Sequence, residues 1–197
     1  MDFSDELLDV MANSPRIARH VHAPLQSGCD ATLRRMKRRY RSRHYADRLA
    51  AAYRRMPDAA FGADVMVGFP GETDDDFEES RSFIASLPLT YLHVFTYSER
   101  PGTPAADAPH PVPIRERKRR NEILRQLAAE KNREFRRRFA GRRLSVVTLD
   151  RPRSALSHNY IPVELASDRP ANQILEIQIG EPTAAGLCEV EPLRILH

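Results

Sequence analysis

The 197-residue chain has few cysteines: only Cys29 and Cys188, far apart in the sequence. That is too few for a disulfide framework, and no CxxC pair offers a metal site. No apolar run approaches the length of a membrane span. The first residues, Met1-Asp2-Phe3-Ser4-Asp5-Glu6, are acidic and lack the basic start and apolar stretch of a signal peptide. A cytoplasmic protein with no membrane partner is the expectation. Internal repeats and low-complexity tracts are absent. So are the glycine signatures of nucleotide-binding loops: residues 68–72 read GFPGE, neither GxGxxG nor a P-loop. The aspartates at 74–76 favour a helix N-terminus but would repel a phosphate.

What is present fits a packed protein. Hydrophobic residues make up 41% and charged residues 29%, which is not a disordered composition. The length allows one sizeable domain and a small one. The formal charge is +4 with a pI near 9.3, and the basic residues cluster at 34–43 and 115–143. Clustered arginine fits a polyanion such as nucleic acid. A solvated helix face accounts for either run equally well.

The patterning alternates between strand and helix. Leu7, Leu8 and Met11 space a short amphipathic helix from Ser4, which residues 13–15 break. Residues 20–25 read as a strand, 26–28 as its exit loop, and Asp30 as the cap of a helix running to Arg39. A second helix opens at Ser42, carries Tyr45, Leu49, Ala52, Tyr53 and Met56 on one face, and ends at Pro57-Asp58. Residues 60–67 form the next strand. Thr73 and Asp76 predict a capping box for a helix with Phe77, Ile84 and Leu87 buried, stopped by Pro88. Residues 91–97 are a third strand. Strands alternating with helices imply a parallel sheet, either small and open or part of a larger barrel. Residues 105–113 look like a proline-rich linker. Pro113 suits the first turn of a long helix with Ile123, Leu127 and Phe135 as its apolar stripe, Phe139 near its end and Gly141 as its cap. Short strands at 144–149, 160–165, 174–179 and 188–193 then fit a small all-β barrel, a class that often binds oligonucleotides.

In parallel sheets, ligands bind at the carboxyl ends of strands. Three loops therefore stand out. In the loop of Gly68, Phe69, Pro70, Gly71 and Glu72, the glycines allow close approach, proline stiffens the turn, and Glu72 is placed to accept hydrogen bonds from an amine or a ribose hydroxyl. Gln26 and Ser27 offer polar groups on the same rim. Arg100 is positioned to clamp a carboxylate or phosphate. Each loop taken alone also reads as ordinary turn chemistry or a surface arginine. His22 and His93 read as strand residues satisfied in the core. Cys29 has no assignable partner as a nucleophile.

Together, HAPLQSGCD (22–30), DVMVGFPGET (64–73) and LHVFTYSERPGTPAA (92–106) resemble the radical S-adenosylmethionine methylthiotransferases of the MiaB and MtaB type. The basic helix and the small barrel containing Asn159-Tyr160-Ile161-Pro162-Val163 resemble that family's TRAM domain. The phrase LHVFTYS (92–98) is most like the branch acting on N6-threonylcarbamoyladenosine. The resemblance implies an α/β fold, the C-terminal part of a partial (β/α) barrel followed by a TRAM-like barrel. It also implies S-adenosylmethionine and [4Fe-4S] clusters as cofactors, and methylthio transfer to an adenosine beside the tRNA anticodon. Gly68 to Glu72, with Gln26 and Ser27, would line the cofactor cavity. Arg100 would lie at its mouth. Arg136, Arg137, Arg138, Arg142, Arg143 and Tyr160 would hold tRNA.

The chain departs from the family at its cysteines. The family's CxxxCxxC motif and its three further N-terminal cysteines are absent, and Cys29 and Cys188 cannot replace them. No catalytic residue and no metal ligand is assigned. The chain starts about where the family's fourth barrel strand would, so it reads as a C-terminal part, inactive alone, whose partner is the missing cluster-bearing region. The expected divisions are 1–112 as the second half of the barrel, 113–141 as the long basic helix and 142–197 as the TRAM-like barrel. The alternatives are a nucleic-acid-binding fragment without chemistry, or an unrelated small α/β sheet. Half a barrel predicts an apolar cavity face left open.

Overall fold

The computed structural model describes residues 3–190. Helix α1 (Asp5–Asn13) starts where the Ser4 hydroxyl accepts the Leu7 N–H. Strands β1 (His20–His22), β2 (Ala60–Val67) and β3 (Tyr91–Thr96) follow in one parallel sheet, in that spatial order. The crossovers are α2 (Asp30–Arg35) with α3 (Ser42–Arg55), then α4 (Asp74–Ser86). The capping box at α4 is present: Thr73 accepts from the Asp76 N–H, and the Asp76 carboxylate accepts from the Thr73 N–H.

The helices cover one face of the sheet. Val21, Phe61, Ala63, Val65 and Val67 alternate onto that face and meet Tyr45, Leu49, Ala52, Phe77 and Ile84, all buried. Each large apolar side chain buried there contributes about 1.5–3 kcal/mol. The opposite face carries His20, His22, Gly62, Asp64, Met66, Tyr91, His93 and Phe95. Nothing among the described residues covers it as the helices cover the first. Its character corrects the expectation of an apolar open face, because imidazole, carboxylate and phenol groups hold most of the positions beside Met66 and Phe95.

Two elements are shorter than their patterns suggest. Helix α2 stops at Arg35 rather than Arg39, because Lys37 takes a left-handed conformation (φ 57°) and Arg38 donates back to Leu33 O. Asp30 does not cap its own helix. Its carboxylate accepts the Ser42 N–H at 2.8 Å and so caps α3. Strand β1 ends at His22, with a single further bridge from Gln26 to Val65. Residues 105–113 are a strap rather than a free linker: His110 O accepts the Gly71 N–H, and Val112 is buried with its carbonyl bonded to Arg117.

Helix α5 (Ile114–Arg137) joins the two halves of the molecule. Leu124 sits in the first core, while Phe135 and, just past the helix, Phe139 sit in the second. Gly141 (φ 71°) ends the turn beyond the helix and donates to Ile179 O. The second core belongs to a curled sheet of β4 (Arg143–Thr148), β5 (Ser154–Ser157), β6 (Pro162–Glu164), β7 (Ile174–Gln178) and β8 (Leu187–Cys188), in the order β7-β4-β5-β6-β8. Strand β5 is absent from the sequence reading, and residues 191–193 of the last expected strand lie outside the described residues. The two halves meet below the parallel strands. Arg19 N–H donates to His158 O at 2.7 Å, Asn159 donates to Asp58 O at 3.0 Å, and the Tyr160 ring stacks on His20 with centroids 4.3 Å apart.

Candidate functional site

The carboxyl ends of the strands form a rigid rim. Gly68 and Gly71 both take positive φ (74° and 78°), which lets the chain leave β2 and reach α4 in a few residues. A Cβ on Gly68 would also run into the Arg117 side chain, so the loop lies directly on α5. Phe69 packs edge-on to Tyr97, and Pro70 is buried. Glu72 does not face outward as an acceptor for a ligand, which corrects its expected role. Its side chain is 3% exposed, accepts the Gly68 N–H at 2.9 Å, and pairs with Arg120 at 2.6 Å. Burial pushes the Glu72 carboxyl up; the Gly68 N–H and Arg120 pull it down. Burial opposes the charge of Arg120 in turn, and its hydrogen bonds to Glu72 and Asp74 outweigh that and raise its pKa. The loop's polar groups thus bond one another. It can offer a bound molecule a fixed shape, with Phe69 at the surface, more than free donors.

Gln26 lies beside this loop in a left-handed conformation (φ 66°), half-buried, with its backbone N–H bonded to Asp64 O. Ser27 is buried, and its hydroxyl accepts the Cys29 N–H at 3.2 Å. Ser27 therefore shapes the turn. Cys29 is fully buried and donates to Asp76, and burial pushes its thiol up, so it is neither a thiolate nucleophile nor an open ligand. The Tyr97 hydroxyl is buried at the end of β3 with no partner among the described residues. Arg100 is exposed on the loop that follows.

Deeper on the open face lies a cluster that includes His22 and His93, which the sequence reading assigns to the core. Register places Asp64 opposite His93 and Gly62 opposite both His22 and Tyr91. Gly62 is needed here, because a Cβ would overlap the Tyr91 ring. His22 Nε2 is 3.1 Å from an Asp64 oxygen, and its Nδ1 is 3.0 Å from the Tyr91 hydroxyl. His20 Nε2 is 2.7 Å from the same hydroxyl. Burial and the neighbouring His22 lower the pKa of His20, while burial and Asp64 raise that of Tyr91. His22 and His93 are exposed on this face and not core residues. The period-two spacing of His20 and His22, and of Tyr91 and His93, is the signal that places them together.

The arginines fall into three groups. Arg136 is buried and donates to the carbonyls of Thr183 and Ala184, so it fastens α5 to the curled sheet rather than facing a polyanion. Arg138 and Arg142 are exposed and share Asp58, at 3.3 and 2.7 Å. Arg137 and Arg143 are exposed with no ion pair among the described residues. Tyr160 has a left-handed backbone (φ 62°) and stacks on His20, closing the lower end of the strands.

Comparison with known proteins adds to this geometry. Residues 1–84 match the family model described as the Radical SAM superfamily. The chain is 39% identical over 178 residues, 90% of its length, to "Threonylcarbamoyladenosine tRNA methylthiotransferase MtaB" of Rickettsia prowazekii, covering 42% of that protein. It is 32% identical over 178 residues, again 90% of its length, to the MtaB protein of Aquifex aeolicus, covering 43% of that protein. It is 43% identical over 135 residues, 66% of its length, to "tRNA-2-methylthio-N(6)-dimethylallyladenosine synthase" of Acidothermus cellulolyticus, covering 27% of it. The chain thus spans less than half the length of these relatives.

Proposed function

We infer that the chain belongs with the radical S-adenosylmethionine methylthiotransferases and, since it spans less than half the length of these relatives, that it is the C-terminal part of a tRNA methylthiotransferase. The substrate in this reading is N6-threonylcarbamoyladenosine next to the anticodon. The observation that carries it is the reach of the MtaB matches, which run over 178 residues, while matches to several dimethylallyladenosine synthases run over 112 to 149. An alignment of the longer kind includes part of the curled sheet, which in this reading is a TRAM-like tRNA-binding barrel.

A [4Fe-4S] cluster needs a triad of thiolates, and this chain holds one buried thiol and one in the other half of the molecule. Its residues do not fit the cluster, which would be held by the cluster-bearing region of the same protein. The work of this chain is to form one wall of the cavity. The Gly68–Glu72 loop and Gln26 shape the rim beside S-adenosylmethionine, and Arg100 stands at the mouth. The curled sheet and the end of α5 hold tRNA in the cytoplasm, chiefly through Arg137 and Arg143, with Arg138 and Arg142 beside them.

Phosphate contacts of this kind release counterions, so affinity falls as salt rises. Titration of labelled tRNA against the chain at several salt concentrations should give a steep negative slope of log affinity on log salt. Arg137→Ala/Arg143→Ala should weaken binding and flatten that slope by about 2. Equal affinity and slope in the two proteins would remove these arginines from the tRNA face.

A further inference from the structure

The open face of the parallel sheet holds a second set of groups, well below the rim. We propose that His22, Asp64 and His93 form a binding site for a first-row divalent cation of the zinc type. The proposal stands on this geometry and not on the methylthiotransferase reading.

The donor atoms lie within 4.8 Å of one another, one from each of three neighbouring strands. Bonds of about 2.1 Å to imidazole nitrogen and carboxylate oxygen bring such donors together with sub-ångström side-chain shifts. The strands fix the positions, since Asp64 and His93 are register partners on β2 and β3, and His22 projects from β1 beside Gly62. Two imidazoles and a carboxylate on one side of an ion leave its other positions open, toward the uncovered side of the sheet. That donor set suits zinc and its neighbours rather than magnesium or calcium.

The surroundings of His22 add a second argument. A metal-bound imidazole is normally held by a hydrogen bond at its other nitrogen. Tyr91 supplies it, with its hydroxyl 3.0 Å from His22 Nδ1. The same hydroxyl is 2.7 Å from His20 Nε2. When Tyr91 donates to His20, it accepts from His22 Nδ1–H. The lone pair of His22 Nε2 then faces an Asp64 oxygen 3.1 Å away. Without a metal a proton lies between these two atoms, as His22 Nε2–H donating to Asp64, and a divalent ion that displaces this proton binds both atoms along with His93. Gly62 leaves the space the Tyr91 ring needs to reach this position.

The test is calorimetric titration of the chelator-treated full chain with Zn2+. One ion per chain is expected in the wild type and in Cys29→Ser/Cys188→Ser, which excludes the thiols. Affinity should fall at least tenfold in Asp64→Asn and in His93→Ala, with far-UV circular dichroism unchanged. No binding by the wild type, or equal binding by the two site variants, would overturn the site. Should those variants unfold, X-ray absorption at the zinc edge of the loaded wild type decides. A shell of nitrogen and oxygen with two imidazoles supports the site, and a sulfur-containing shell overturns it.

Discussion

At Glu72 a residue that reads as a ligand acceptor is turned to structural use. The carboxylate stitches the start of the loop to α5 through the Gly68 N–H and Arg120. Both partners are almost fully buried, and Arg120 also pairs with Asp74 and Glu116, so removing the arginine leaves the Glu72 carboxylate buried without its counter-charge. Breaking such a pair costs about 3–5 kcal/mol. Arg120→Ala should lower stability in urea unfolding by about that amount, and Arg120→Met/Glu72→Gln should recover most of it. A loss for Arg120→Ala below about 1 kcal/mol would mean the pair is solvated. Glycine and proline at 68–71 mark the turn in the sequence. The direction of Glu72 was not legible there, because its partner lies 48 residues away on another helix. The same holds for Arg136, whose carbonyl acceptors are at Thr183 and Ala184.

At the scale of elements, local signals placed most helices and strands. Thr73 and Asp76 form the capping box their spacing implies. Asp30 is the instructive exception. The chain after α2 turns back through a left-handed Lys37, so the aspartate at the start of one helix caps the next. An unfilled N-cap costs about 1 kcal/mol. Asp30→Ala should therefore destabilise the chain by about 1 kcal/mol, with the loss of exchange protection concentrated at the first turn of α3. Uniform protection and unchanged stability would contradict this. Strand β5 escaped the sequence reading because its residues, Ser154-Ala155-Leu156-Ser157, are short and weakly patterned. Its pairing with β4 and β6 supplies what propensity does not.

For the whole molecule, pattern alone gave alternating strands and helices, then a long helix, then a run of short strands, and these elements are present in that order. How the halves meet was not legible. Asn159 reaches Asp58 and Tyr160 reaches His20, contacts spanning more than a hundred residues. One consequence is that the open face has a closed lower end and an open upper rim, the shape of one side of a barrel cavity. Its polar lining of His20, His22, Asp64, Tyr91 and His93 suits a lumen rather than a sticky surface. Among the described residues no helix is long and apolar enough to cross a membrane. In the proposed function this chain is one part of an enzyme of methylthio transfer to tRNA. Mass spectrometry of tRNA nucleosides, from cells with and without the gene for this chain, tests it most directly. The methylthio form of N6-threonylcarbamoyladenosine should disappear without the gene while the unthiolated nucleoside accumulates. An unchanged nucleoside profile would contradict it.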